Sequence, residues 1–526
     1  MRKKIVLFLA IIVIAWGINV GIKSVSFEND ELIENDKQNE VSNEIYVDEL
    51  NLPLIEVDTL NPLKTKNNQV ASILRLVYEP LIDYDSDESL EFILLKEYAK
   101  LDSKTWIFKV KSDVLWHEGK SFNADDVIFT FNKLIDNDLT YSSNLENVKE
   151  ITKLDEYSLK VSLENDDDYF ISKLNFPIVP EYYFKDNGFD DEYKINKPVG
   201  TGAYKYSNID SEGNILLEFN SSWHMSDNAK LKKINLYKYA TYGEAVKAFK
   251  SAEIDMIVTN MSDWEDKFGT IGLNSYSFEN SEFEVIIPNC NNIALSENSV
   301  RRAILHAINR ENIINSVYYD NASVSDIPVH TNSKNSITNA EYDLEKAKQI
   351  LINAAWVQDE SGWKKVINGK KYNLSFNLLV NSENEKKVEV AEKIKSDLSE
   401  IGIIININKV SKDKINSAIQ NDNFELILTS FDIKSEFFIQ EQLEKNAVKN
   451  YSNYSSDSMQ KVIDDMAVSF ESYDNNMYLF TQIYKNDAPY IGLYFRTSTI
   501  LTNKSVKGNF EPTWSNYYRN MTSFCK

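Results

Sequence analysis

The chain has 526 residues, with 57 basic and 80 acidic side chains and a net charge of −23. An apolar fraction of 43% with 12% aromatics excludes wholesale disorder, and the negative balance repels phosphate, which excludes a nucleic-acid partner. Two cysteines, Cys290 and Cys525, with four histidines, supply neither a disulfide framework nor a thiolate metal centre.

Arg2-Lys3-Lys4 precedes Ile5 to Ile22, a run of 18 residues with Asn19 as its one strongly polar member. Cations followed by an apolar stretch read as an export signal, the charged end held in the cytoplasm. The run approaches the ~20 residues that span a bilayer. Two outcomes stay open: cleavage near Ser24-Val25-Ser26, or retention as a membrane anchor. No cysteine lies near this segment, so a lipid-modified cysteine does not supply the tether. Residues 24–43 are acidic and polar with no apolar period, which reads as a solvated linker.

Strand and helix signals then alternate. Ile45 to Val57 and Thr105 to Val110 read as strands. Ser121-Phe122-Asn123-Ala124-Asp125-Asp126 opens a helix carrying Val127, Phe129, Phe131 and Leu134. Gly243 to Phe249 reads as a short helix leading into the strand Ile254 to Val258. Val300, Ile304, Ala307 and Ile308 fall on one helical face. Trp363 to Ile367, Asn368-Gly369 and Tyr372 to Val380 predict a hairpin, since Asn-Gly supplies the positive φ of a tight turn. Lys386 to Leu398 is a predicted helix, with strands at Ile403 to Ile407 and Phe424 to Leu428. Mixed elements over this length predict α/β lobes.

A search for chemistry returns mostly negatives. Gly119-Lys120-Ser121 has the tail of a phosphate loop, but Val114 stands where the upstream glycine is needed. Gly200-Thr201-Gly202 has Lys205 in place of a third glycine and reads as a tight turn. His117-Glu118 lacks a second histidine at helical spacing. There is no G-x-S-x-G elbow, and neither cysteine has a histidine nearby in sequence to activate it. Asp166-Asp167-Asp168 reads as a solvated turn. No enzyme and no cofactor are expected.

Taken together, several segments resemble a known family. Trp106 to Val110 with Val114-Leu115-Trp116-His117-Glu118-Gly119-Lys120-Ser121-Phe122 and Asn123 to Val127 resembles the first signature of the peptide-binding, extracellular solute-binding proteins of ABC importers. Pro198-Val199-Gly200-Thr201-Gly202-Ala203-Tyr204-Lys205 resembles the second. Leu295-Ser296 with Val300-Arg301-Arg302-Ala303-Ile304 and Ala307 to Glu311 is similar to the third. Tyr451-Ser452-Asn453-Tyr454 and Ala488-Pro489-Tyr490 continue the series, in family order, to the C-terminal region. On their own chemistry, Trp116 reads as a core anchor, and Arg301 and Arg302 as an ion pair and a solvated charge. Gly200 and Gly202 read as a bend where a hinge strand crosses between lobes.

The resemblance implies an α/β, bilobal, periplasmic-binding-protein-like clamp. Residues 1–23 are then the signal or anchor and 24–43 the linker. Residues 44–82, 183–278 and 485–526 form a discontinuous first lobe, 83–182 an inserted subdomain and 279–484 the second lobe. Family members that bind peptides carry an Asp after a strand like Phe424 to Leu428, where it pairs with the ligand's α-ammonium. Here Phe431 falls at the family's aromatic and Lys434 at its Asp, with Asp432 two residues early. Either Asp432 or Glu436 takes the ammonium, or the ligand is not an ordinary peptide with a free N-terminus; Glu56 is a further lining candidate. The implied role is capture of an oligopeptide or other small solute for ABC permease subunits. The implied protein is a monomer on the outer face of the cell membrane, held by the N-terminal helix or secreted after cleavage. Two alternatives remain: a membrane-tethered sensor or scaffold, and a binding protein for a metal chelate, haem or sugar.

Overall fold

A computed structural model describes residues 47–186, 188–225, 228–434, 438–467 and 470–526. The chain divides into units Met1–Tyr46 and Val47–Lys526, and the predicted anchor and linker lie outside the described residues. No helix among the described residues is long and apolar enough to cross a membrane.

Three sheets frame the larger unit. In the first, Glu49–Ile55 pairs in parallel with Lys233–Tyr239, Glu49 opposite Lys233, and Ile215–Phe219 and Tyr204–Ile209 follow antiparallel. Parallel pairing needs a crossover, and 184 residues separate the partners here. The second sheet is the antiparallel set Leu95–Asp102, Thr105–Val110, Ser158–Leu163, Val148–Lys153, in that spatial order. The third has seven strands. Its spatial order is Met256–Thr259, Ile491–Asn503, Leu273–Pro288, Leu426–Asp432, Ser375–Asn381, Ile404–Val410, with Ala322–Val324 also paired to Ile491–Asn503.

Apolar packing separates along the same lines. One core draws on residues from Leu50 to Val258 and on Ile500 to Phe524, with a satellite around Phe249, Trp264 and Leu501. Two further cores draw on residues from Phe283 to Phe495, joined from outside by Tyr169 alone. The fold is thus a multi-lobed α/β architecture in which the chain leaves the first lobe and returns to it. At the return, Val47 N–H donates to the Lys526 carbonyl at 2.7 Å and Lys526 N–H to the Val47 carbonyl at 3.0 Å.

Local sequence accounts for many elements. Asn123 caps the helix Ala124–Ile135 in a capping box closed by Asp126. Asp126 also accepts from the Trp116 indole at 3.0 Å and from Glu181 N–H at 2.9 Å, and burial pushes its pKa up to about 6. Trp116 is buried, as its place before the turn predicts. Asn368 and Gly369, both at positive φ, turn the hairpin Gly362–Ile367 to Lys370–Asn373.

Four expectations need correction. The predicted strand Tyr372 to Val380 is two strands. Lys370–Asn373 closes the hairpin, and Ser375–Asn381 enters the seven-stranded sheet, parallel to both its neighbours. Gly200 and Gly202 do not lie at the crossing between lobes. A Cβ on Gly200 would meet the Val77 carbonyl oxygen at 1.8 Å, so these glycines allow two backbones to pack. The His117 ring fixes that junction, accepting at Nδ1 from Gly200 N–H at 3.2 Å with Nε2 3.0 Å from the Gly202 carbonyl. Arg301 is buried, and the hydrogen bonds it makes go to carbonyl oxygens rather than a carboxylate: Leu295, Ser296, Asp487 and Ala488. Finally, Asp167 and Asp168 are not simply solvated, since they pair with Lys173 at 2.8 Å and Lys100 at 2.5 Å.

Candidate ligand-binding cleft

Two strands carry the chain between the lobes. Leu273–Pro288 and Ile491–Asn503 pair on both sides of an irregularity between Glu279 and Phe283. Asn280, Ser281 and Glu282 there stand against Arg496 alone, because Glu279 pairs with Thr497 and Phe283 with Phe495. Such a bulge frees side chains and backbone groups at the point where the strand changes lobes.

A cavity of about 210 Å³ opens at this crossing. Glu56, Asn67 and Gln69 form one wall, Asn280, Ser281 and Glu282 a second, and Trp514 and Tyr517 a third. Glu56 ends the first strand at positive φ, and its carboxylate accepts from Tyr242 N–H at 3.3 Å. Asn67 fixes this bend by donating to the Ile55 and Glu56 carbonyls, each at 3.1 Å. The Asn67 side chain also caps the helix Asn68–Leu74. Asn280 donates to Ser498 Oγ at 3.3 Å and accepts from Glu282 N–H at 2.9 Å. The nearest cation to Glu282 is Arg496, 3.8 Å away with its guanidinium over the Tyr318 ring.

The predicted site residues fall around this point unevenly. Strand alternation along Leu426–Asp432 turns Phe431 and Ile433 into the core and Asp432 and Lys434 outward. Phe431 is 7% exposed and packs edge-on against Tyr490 at 5.3 Å, so it contributes packing beneath the cleft. Asp432 stands opposite Glu282 across the strands. It pairs with Lys434 at 3.4 Å, both side chains more than half exposed. Burial pushes the Tyr517 hydroxyl pKa up to about 12, and the charges of Glu282 and Asp432 add to that shift. Glu56 lines the cavity. Glu436 lies outside the described residues.

Sequence reasoning missed Glu282, Asn280, Trp514 and Tyr517. One signal was available. Glu279-Asn280-Ser281-Glu282 is a polar break just before the apolar run Val285 to Ile287 on a single strand. The two C-terminal aromatics sit in a loop with no periodicity, and only the return of the chain brings them here.

The lobes also meet away from the cavity. Tyr169, from the segment predicted as an insert, donates its hydroxyl to the Met466 carbonyl and packs edge-on against Tyr473 at 5.7 Å. Lys173 bridges Asp167 on its own side and Glu441 on the other, at 2.8 and 3.2 Å.

Comparison with known proteins identifies the family and the fold. The middle-region model of the bacterial extracellular solute-binding proteins, family 5, matches residues 94–435. The oligopeptide-binding protein AppA of Bacillus subtilis is 23% identical over 479 residues, covering 86% of this chain and 87% of that protein. The nickel-binding periplasmic protein of Escherichia coli is 24% identical over 393 residues, covering 71% and 73%. A crystal structure described as a nickel ABC transporter from Bacillus halodurans aligns with a TM-score of 0.77 at 19% identity, over 91% of this chain and 100% of that one. The structural match fixes the fold, and the family match covers well over half of the sequence. This chain belongs to the bacterial extracellular solute-binding proteins of family 5.

Proposed function

We propose that this solute-binding protein captures oligopeptides in the cleft at the strand crossing and presents them to the permease of an ABC importer. The observation that carries the reading is the make-up of the cavity: amide side chains from Gln69 and Asn280 beside the carboxylates of Glu56 and Glu282. Amides complement a peptide main chain without regard to side-chain identity, and water fills the remaining space. Asp432, opposite Glu282, receives the ligand's α-ammonium, and Lys434 holds Asp432 until the ligand displaces it. The name of the Bacillus subtilis relative supports a peptide ligand. Among the described residues no group of three or more His, Cys, Asp or Glu is placed to hold a metal ion.

In this reading, residues 44–82, 183–278 and 485–526 act as one lobe against 279–484, with 83–182 as an insert. Residues 5–22 hold the monomer at the outer face of the membrane through the acidic linker. Mass spectrometry of solutes that co-purify with the full chain tests the assignment. A ladder of peptides supports it; a single non-peptide species in stoichiometric amount overturns it.

A further inference from the structure

Three consecutive residues of the second lobe hook onto the strand crossing and onto the segment proposed as an insert. His330 places Nδ1 3.5 Å from Glu279 Oε2. Thr331 donates its N–H to the same carboxylate at 2.9 Å and its hydroxyl to the other oxygen. Asn332 donates to the Ser86 carbonyl. Their loop is rooted in the second lobe, where Asp326 pairs with the buried Arg310. Ser86 belongs to the proposed insert, and Glu279, at the edge of the proposed second lobe, precedes the bulge on the crossing strand. Glu279 is the last paired residue before the bulge, and Ser86 lies in the turn between the strands Ile82–Tyr84 and Leu90–Phe92. The anchor Glu279 therefore directly precedes the bulge at Asn280 to Glu282 on the same strand.

His330 is buried and stacks on Phe495 at 4.4 Å. The charged groups facing it are Glu279 from the crossing strand and Glu88 from the same turn as Ser86. Its Nε2 edge lies against the Ile433 backbone without a well-aligned hydrogen bond. Glu88 is held in turn by the Trp514 indole, whose N–H donates at 3.1 Å, and has Glu279 and Asp85 as further charged neighbours. Trp514 lines the solute cavity, so the hook and the cleft share a side chain.

We propose that His330, Thr331 and Asn332 are a proton-dependent latch that holds the lobes together, so that the cleft retains its solute better in acidic than in alkaline surroundings. This rests on the reading of the cleft as the solute site and adds how that site is regulated. The protonated imidazole between two carboxylates is the closed form. Burial disfavours that charge, but the hydrogen bond to Glu279 and the charges of Glu88 and Glu279 outweigh it and leave the His330 pKa above its ordinary 6.5. A base whose pKa rises on closure stabilises the closed state fully below its ordinary value and loses that effect as pH climbs through the raised one. Glu88, raised by burial, acts in the same direction. Glu279, although buried, is lowered by its bonds to His330 and Thr331. Its contribution is present above its ordinary 4.5 and is lost only as pH falls through the depressed value.

The test measures lobe separation directly, on the full chain freed of co-purified solute by unfolding and refolding, with no ligand added. Spin labels are introduced as non-natural amino acids at Glu150 and Glu345 of the full chain, and the distance between them is read by pulsed dipolar spectroscopy. Going from pH 6 to 8.5, the population at the longer distance rises by about threefold or more. In His330→Gln, which keeps a donor toward Glu279, that population no longer depends on pH. In Glu88→Gln, which removes one of the two charges on His330, opening starts at a lower pH. Lys173→Ala weakens a different lobe contact, shifting the balance equally at every pH. A wild-type distance unchanged by pH, or a full pH response in His330→Gln, overturns the latch. Because no peptide is present, failure of the peptide assignment leaves this result standing, and the reverse also holds.

Discussion

Alanine at Gly200 separates two roles for the second signature. A Cβ there would lie 1.8 Å from the Val77 carbonyl oxygen, whereas ordinary contact begins at 3.4 Å. Opening that gap breaks the bonds that tie the junction: Gly202 N–H to Val77 and His117 N–H to Gly200, both 2.9 Å, and Gly200 N–H to the His117 ring at 3.2 Å. At ~1 kcal/mol each, with strain of comparable size, the change costs about 4 kcal/mol. Gly243→Ala is the matched control. It sits in the helix Tyr242–Lys250 with its nearest neighbour 4.0 Å away, so the same methyl there stabilises by about 0.5–1 kcal/mol. Urea midpoints followed by tryptophan fluorescence read both. Gly200→Ala within about 1 kcal/mol of the wild type would refute the packing argument. A change in lobe opening at unchanged stability would restore the hinge.

Asp326→Asn leaves the buried guanidinium of Arg310 without its carboxylate, the side chains being 2% and 4% exposed. The expected cost is about 3–5 kcal/mol by chemical denaturation. His117, held neutral by burial with a pKa of about 4, gives stability that is complete above 6.5 and is lost as pH falls toward 4. That amounts to at most about 3 kcal/mol, and His117→Gln flattens the difference between urea midpoints at pH 7 and pH 4.5. Asp432→Asn is expected to abolish the rise in melting temperature that saturating peptide produces in the wild type; an unchanged rise removes Asp432 from the ammonium site.

Elements whose signals are local were legible in the chain. The capping box at Asn123 and Asp126, the Asn368-Gly369 turn and the strand Thr105–Val110 each depend on neighbours within a few residues. The lobe crossing was not, because its pairings join distant segments: Met256–Thr259 lies on Ile491–Asn503, and Leu273 faces Asn503. Arg301 misled for a related reason. Its acceptors at Asp487 and Ala488 are backbone atoms 186 and 187 residues away, which no side-chain pattern reports. Within the cleft, Glu56 could be named from the first strand, whereas Trp514 and Tyr517 acquire meaning only from the return of the chain.

The bond between Val47 and Lys526 bears on how the protein is made. The first residue of the folded unit waits for Lys526, and the first strand waits for a partner that begins at Lys233. A ribosome adding residues at ~5–20 per second keeps Val47 without its partner for roughly half a minute or longer. During most of that interval the seven-stranded sheet is incomplete, since it needs Ile491–Asn503, whereas the sheet around Glu49–Ile55 can close once Tyr239 has been made. The strands are thus made first and the ends joined last: the contact between Val47 and Lys526 forms only after every described strand of the fold has been made.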